Sequence, residues 1–158
     1  MQVNNNNLQF LHSLLEASGV SKARLAGMMG CSTQNLFTYF KRDDMRLTTA
    51  LEIASLLGYT LSFSLEKDRA STSNVIVDIE PLVGQGGLKR LAFLRIAMGL
   101  YGIERKKLAE QLGISYNGVN RWFKVDDISI SYIFKIAELY GLRVCITATP
   151  KKEATQLA

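Results

Sequence analysis

Across 158 residues there is one histidine, one tryptophan, two prolines and two cysteines, and each scarcity excludes a class of chemistry. Cys31 and Cys145 lack metal-ligand spacing and His12 offers a zinc ion no further partner, so no metal site is expected. Both cysteines read as reduced structural residues. No apolar run approaches the ~20 residues of a membrane span. The polar start, with its run from Asn4 to Asn7, lacks the basic-then-apolar order of a signal peptide, so the expected location is the cytoplasm, away from membranes. No nucleophile stands in an arrangement with a base and an orienting group, so neither catalytic residues nor a cofactor is expected.

What the chain does have is enough apolar content, 47%, to bury ordinary cores in one domain or two small ones. It also carries a formal charge of +5, which favours a polyanionic partner. That charge is uneven: residues 1–66 carry a net charge of 0, residues 67–87 a net −1 and residues 88–158 a net +6.

Set against itself with an offset of 83, the sequence repeats. Gly19 falls on Gly102, Leu25 and Ala26 on Leu108 and Ala109, Gly30 on Gly113, and Ser32 on Ser115. Phe40 and Lys41 meet Phe123 and Lys124, Asp43 and Asp44 meet Asp126 and Asp127, and Ile53 to Gly58 meets Ile136 to Gly141. Turn glycines and an acidic pair held in register without a gap point to duplication of one structural unit.

Within the first repeat, Leu8, Leu11, Leu14 and Leu15 have the spacing of an amphipathic helix that ends at Gly19. Ser21 can cap a helix over 22–29 and Ser32 a third over 33–41. A fourth is expected from near Thr48 to Gly58, with Thr49 and Glu52 at capping-box spacing. Tyr59, Leu61, Phe63 and Leu65 alternate with polar residues as a half-buried strand over 59–65. The second repeat predicts helices over about 88–100, 104–112, 115–124 and 131–140 and a strand over 142–148. Between the repeats, Val75, Val77 and Ile79 suggest a hairpin strand over 75–79, and the glycine-rich run 84–87 a flexible linker.

The stretch from Ser115 to Lys124 ties these elements to a function. Leu108, Ala109 and Gly113 precede it, Ser115 suits an N-cap, and Val119, Trp122 and Phe123 fall on one inward side. Leu108, Ala109, Gly113, Ile114, Ser115, Val119 and Trp122 together resemble the motif of the Cro and lambda-repressor-like helix-turn-helix family, and the resemblance extends to both repeats. It departs where Gly and Pro often follow the second helix, because Val125, Asp126 and Asp127 stand there instead. The resemblance implies a mainly α fold with a small antiparallel β element: two tandem units, each of four helices and a C-terminal strand. It also implies a repressor-like transcriptional regulator that inserts recognition helices 32–41 and 115–124 into the major groove of double-stranded DNA.

Carried over residue by residue, the resemblance assigns base contacts to Thr33, Gln34 and Thr38 in the first repeat and to Tyr116, Asn117, Asn120 and Arg121 in the second. Asn and Gln suit adenine and Arg suits guanine. Phosphate contacts fall to Lys22, Lys41, Arg42 and Arg46, and to Arg105, Lys106 and Lys124, at helix starts and just past the recognition helices. Trp122 and its counterpart Tyr39 read as core residues rather than stacking platforms, and the paired aspartates as turn or cap residues rather than a nuclease metal site.

The expected organisation is a first repeat over 1–66, a hairpin and linker over 67–87, and a second repeat over 88–158. The strands 59–65 and 142–148 need partners: each other, the 75–79 strand, or a second chain in a homodimer. The favoured arrangement is one small antiparallel sheet. An alternative is an interaction module or antitoxin-type regulator, in which the neutral first repeat, with Phe37 in its recognition helix, binds protein and the second alone reads DNA.

Overall fold

The structure is a computed structural model in which residues 7–67 and 89–151 are described. In chain order they form α1 (Gln9–Ser18), α2 (Lys22–Met29), α3 (Thr33–Arg42), α4 (Leu47–Leu56) and β1 (Tyr59–Lys67), then α5 (Ala92–Tyr101), α6 (Arg105–Leu112), α7 (Tyr116–Val125), α8 (Ile130–Leu139) and β2 (Leu142–Pro150). The fold is thus mainly helical, with a small sheet. The expected hairpin strand at 75–79 and the glycine linker at 84–87 lie outside the described residues. None of the described helices is long and apolar enough to cross a membrane.

Local chemistry explains the turns that matter. Between α2 and α3 the backbone passes through Gly30 at φ +75°, and between α6 and α7 through Gly113 at φ +74°, a left-handed conformation costly to a residue bearing a Cβ. In each case the next residue closes the turn, Cys31 donating to the Ala26 carbonyl and Ile114 to the Ala109 carbonyl, both at 3.0 Å. The following serine then opens the next helix: Ser32 Oγ accepts the Asn35 amide at 3.0 Å, and Ser115 Oγ the Gly118 amide at 2.9 Å.

The two strands pair with each other as a two-stranded sheet. The amide of Lys151 donates to the Gly58 carbonyl, and Arg143 pairs with Glu66 at 3.8 Å, so the strands run antiparallel. Burial alternates cleanly in β1, where Leu61, Phe63 and Leu65 point inward, but in β2 only Leu142 is buried. Both strands run two residues further than their alternation predicts, to Lys67 and Pro150.

The chain divides into two compact units, and the division runs through the paired strands rather than after them. Within the described residues, one unit comprises 7–61 and 147–151 and the other 62–67 and 89–146. In the first, Leu8, Leu11, Leu25, Leu36, Leu47 and Ile53 are fully buried where α1 and α2 pack on α4 and α2 on α3. In the second, Leu91, Leu94, Leu108, Ile128, Ile130 and Ile133 fill the corresponding core, with α6 packed on α7 and α8. Phe63 lies against Phe93 with ring centroids 5.6 Å apart.

Five helix starts differ from expectation, and α6 and α7 begin one residue late, at Arg105 and Tyr116. Helix α4 begins at Leu47 after Arg46, with no side-chain cap bond, so Thr49 and Glu52 do not form a capping box. The fourth helix of the second repeat starts at Ile130, one residue early. Helix α5 starts at Ala92 rather than near 88, and the amides just before it find a distant acceptor. Arg90 and Leu91 donate them to the two carboxylate oxygens of Asp126, at 2.8 and 3.0 Å.

That arrangement recurs at the same offset. Asn7 and Leu8, just before α1, donate their amides to the carboxylate of Asp43 at 2.9 and 3.1 Å. Asp43 and Asp126 end α3 and α7 in the left-handed conformation, at φ 57° and 60°, and are the non-glycine residues with positive φ among those described. Aspartate tolerates that conformation better than most side chains, and its carboxylate supplies the acceptor that the first helix of each unit lacks locally. The Asn7 side chain also donates to the Asp43 carbonyl at 3.1 Å, and Arg90 Nε to the Asp126 carbonyl at 3.0 Å. The second aspartate of the later pair, Asp127, is buried and accepts the amide of Ile128.

Candidate nucleic-acid interface

In the second unit, α7 is the amphipathic element on which the site rests. Val119, Trp122 and Phe123 are buried, and the Trp122 and Tyr132 rings lie 5.2 Å apart. With that face anchored to α6 and α8, the opposite one is presented outward. Asn117 and Arg121 are exposed, Tyr116 is 49% exposed, and Lys124 follows on the last turn, also exposed. Lys106 is exposed near the start of α6.

Asn120 and Arg105 are brought together. Arg105 Nη1, on the first residue of α6, donates to Asn120 Oδ1 at 2.9 Å, and both residues are part-buried. The same guanidinium lies over the Phe123 ring, 4.2 Å from its centroid, and that of Arg95, from α5, lies 4.7 Å from it. Two cations over one buried ring at the start of α6 create a positive locus beside the exposed face of α7. Arg95 was not singled out from sequence. Its counterpart at the 83-residue offset is His12, which hid the equivalence because the two side chains differ in type.

In the first unit the positions at the 83-residue offset carry different side chains. Lys22 takes the place of Arg105, with Nζ 4.8 Å from the Phe40 centroid and 5.7 Å from that of Phe37. His12 lies against Phe40 at 4.8 Å. Burial, and then Lys22, hold the His12 pKa below its ordinary value, while Asp43 pulls the other way. Phe37 stands where Asn120 does in the second unit, and it is 47% exposed.

Along α3, Gln34 and Thr38 are exposed and Thr33 is part-buried. The Thr38 hydroxyl donates to the Gln34 carbonyl at 2.9 Å, so its proton is used within the helix and it faces outward as an acceptor. Lys41, Arg42 and Arg46 are exposed. All five basic residues of the neutral first segment therefore lie on α2, at the end of α3 or at the start of α4, since Arg24 joins Lys22 on α2. The acidic residues that cancel them numerically include Asp43, whose carboxylate is occupied by two amides. Tyr39, the counterpart of Trp122, is only part-buried.

Two further features bear on chemistry. Cys31 and Cys145 are free thiols. Burial, with Glu66 close by, raises the Cys145 pKa, although Arg143 opposes this.

Comparison with known proteins gives one family-level finding. A helix-turn-helix family model matches residues 94–145, which span most of α5, all of α6 to α8 and the start of β2. No curated protein and no solved structure matches the chain. The matched span lies within the second repeat and contains Arg105, Tyr116, Asn117, Asn120 and Arg121. Residues 94–145 are thus similar to a helix-turn-helix domain, and that similarity supports sequence-specific DNA binding and a part in transcription regulation.

Proposed function

We propose that the chain is a tandem helix-turn-helix regulator of repressor-like type that reads double-stranded DNA in the major groove, chiefly through α7. The observation that carries this reading is the face of α7. Asn117 and Arg121 stand exposed on a helix whose other side is fixed by Val119, Trp122 and Phe123. An anchored helix with an amide and a guanidinium on its outer face matches the donor and acceptor pattern of base edges. Lys106 and Lys124 would neutralise flanking phosphates, and Arg105 would do so from the start of α6.

The first unit would add Gln34, with Thr33 and Thr38, and the cations Lys22, Lys41, Arg42 and Arg46. The recurrence of the aspartate caps, the serine caps and the cation over Phe40 or Phe123 supports reading it as a second copy of the same unit. A second reading has its own support: Phe37, 47% exposed in the middle of α3, suits a protein partner better than a base edge. In that case the second unit alone reads DNA.

The test is to select bound duplexes from random DNA with the full chain and titrate the best one with salt. The expected result is an enriched sequence and an affinity that falls with a log–log slope of about −0.9 for each phosphate neutralised. A chain that enriches no sequence and shows no salt dependence does not have this function.

A further inference from the structure

We infer that Phe37 is a specificity residue of the first unit, and that it reads the C5-methyl group of a pyrimidine in the major groove. The inference rests on the proposed reading of DNA, extended from α7 to α3. Phe37 lies in the middle of α3 and is 47% exposed, more than any other large apolar residue described in its unit.

Its surroundings decide the scale of the contact. Gln34 stands exposed three residues before it and Thr38 one after, with Asn35 and Lys41 exposed on the same helix. The apolar residues of α3 do not widen the patch, because Leu36 is fully buried and Tyr39 and Phe40 are part-buried. Met28, the other exposed large apolar side chain described in this unit, belongs to α2. It is six residues from Lys22, whose Nζ lies 5.7 Å from the Phe37 ring, or about 9 Å further along that helix. Protein docking sites are contiguous apolar patches of roughly a few hundred Å², and one ring among polar side chains falls well short. A point contact fits.

Chemistry then selects the part of the base. A phenyl ring neither donates nor accepts a conventional hydrogen bond, so the polar base edges offer it nothing. The apolar feature of the major groove is the C5-methyl of thymine, and phenylalanine is among the side chains suited to it. 5-Methylcytosine carries the same group in the same place. The corresponding position of α7 holds Asn120, an amide, so the two units address different features there: a polar edge in one and a methyl group in the other. Lys41 and Arg42, both exposed on the last turn of α3, supply the positive charge that holds a phosphate backbone nearby.

The test uses the full chain and the duplex it selects. Each thymine is replaced in turn by uracil, which keeps the pairing and the polar groove edge and removes only the methyl. At one thymine, outside the pairs whose preference Arg121→Ala relaxes, the wild type should bind about fourfold more weakly, the effect of burying one methyl-sized group. Phe37→Ala should lose the same factor on the thymine duplex and bind the two duplexes equally. Thr38→Ser, which removes the neighbouring side-chain methyl, should keep the wild-type ratio. Cytosine and 5-methylcytosine are then compared at that pair: an equal gain on methylation assigns the contact to the methyl of either pyrimidine, and no gain assigns it to thymine. Equal thermal midpoints for wild type and Phe37→Ala check that the fold is kept.

A Phe37→Ala chain that keeps the thymine-over-uracil ratio, or a ratio lost in Thr38→Ser instead, would overturn the inference while leaving DNA reading by α7 intact. So would a wild type indifferent to uracil at every thymine, and Phe37 would then fall to a protein partner. A wild type that selects no sequence would remove the reading of DNA, and this inference with it.

Discussion

Helices α3 and α7 are held by the same devices yet face outward with different chemistry. Each begins after a serine cap, each ends at an aspartate with positive φ whose carboxylate takes the amides before the unit's first helix, and each sets a phenylalanine ring beneath a cation. The outer residues diverge: Phe37 against Asn120, Thr38 against Arg121, Lys22 against Arg105 and His12 against Arg95. The lesson is that positions tied to backbone geometry stay in register, whereas positions that would meet a partner are those that differ. Net charge misleads in this respect. The first segment sums to zero, but its cations gather along α2 and at the end of α3 while one of its acids is spent as a cap.

The comparison can be broken most severely at the buried aromatic. Trp122→Ala should cost about 3 to 5 kcal/mol by urea denaturation, through lost burial and the cavity left behind. Tyr39→Ala, at the part-buried counterpart, should cost clearly less. A loss below about 1 kcal/mol for Trp122→Ala would mean that α7 is not anchored through this ring.

The caps come next. Asp43→Ala should cost about 3 kcal/mol, combining charge-assisted bonds to two amides with the strain of an alanine at positive φ. Asp126→Ala should act in the same direction by less, since its side chain is 20% exposed. If Asp43→Asn, which keeps the tolerance of positive φ, proves as damaging as Asp43→Ala, the paired carboxylate acceptors rather than the conformation are what matters there.

The smallest effect separates His12 from Arg95. The folded state holds the His12 pKa below the unfolded value near 6.5, so the folded chain binds protons less readily. Stability linked to His12 is therefore complete above about pH 6.5 and declines as pH falls through that value towards the folded pKa. His12→Phe should flatten the wild-type loss between pH 7 and 5 in matched denaturation curves. A wild type that gains stability over that interval through His12 would reverse the sign argued here.

Most helices could be read from the sequence because glycine, serine and apolar spacing act locally. Gly30, Gly113, Ser32 and Ser115 do what their chemistry requires. The capping of α5 could not, because the acceptor for its leading amides lies 35 or 36 residues away in Asp126. Asp126 was readable as a cap or turn residue, but not as the acceptor for another helix. The α7 face followed from Val119, Trp122 and Phe123. The Arg105–Asn120 bond was hidden, because it depends on how α6 crosses α7 and not on spacing within either helix. Arg105 was assigned from sequence to phosphate alone for that reason.

The most direct measurement compares Arg121→Ala with Thr38→Ala on the duplex selected by the wild type, by anisotropy at fixed salt with every base pair varied. Arg121→Ala should lose about 1 to 3 kcal/mol and relax preference at one pair, as expected when a guanidinium reads guanine, while Thr38→Ala should lose less. If Arg121→Ala binds the selected duplex as tightly and as selectively as the wild type while Thr38→Ala abolishes binding, α7 is not the reading helix.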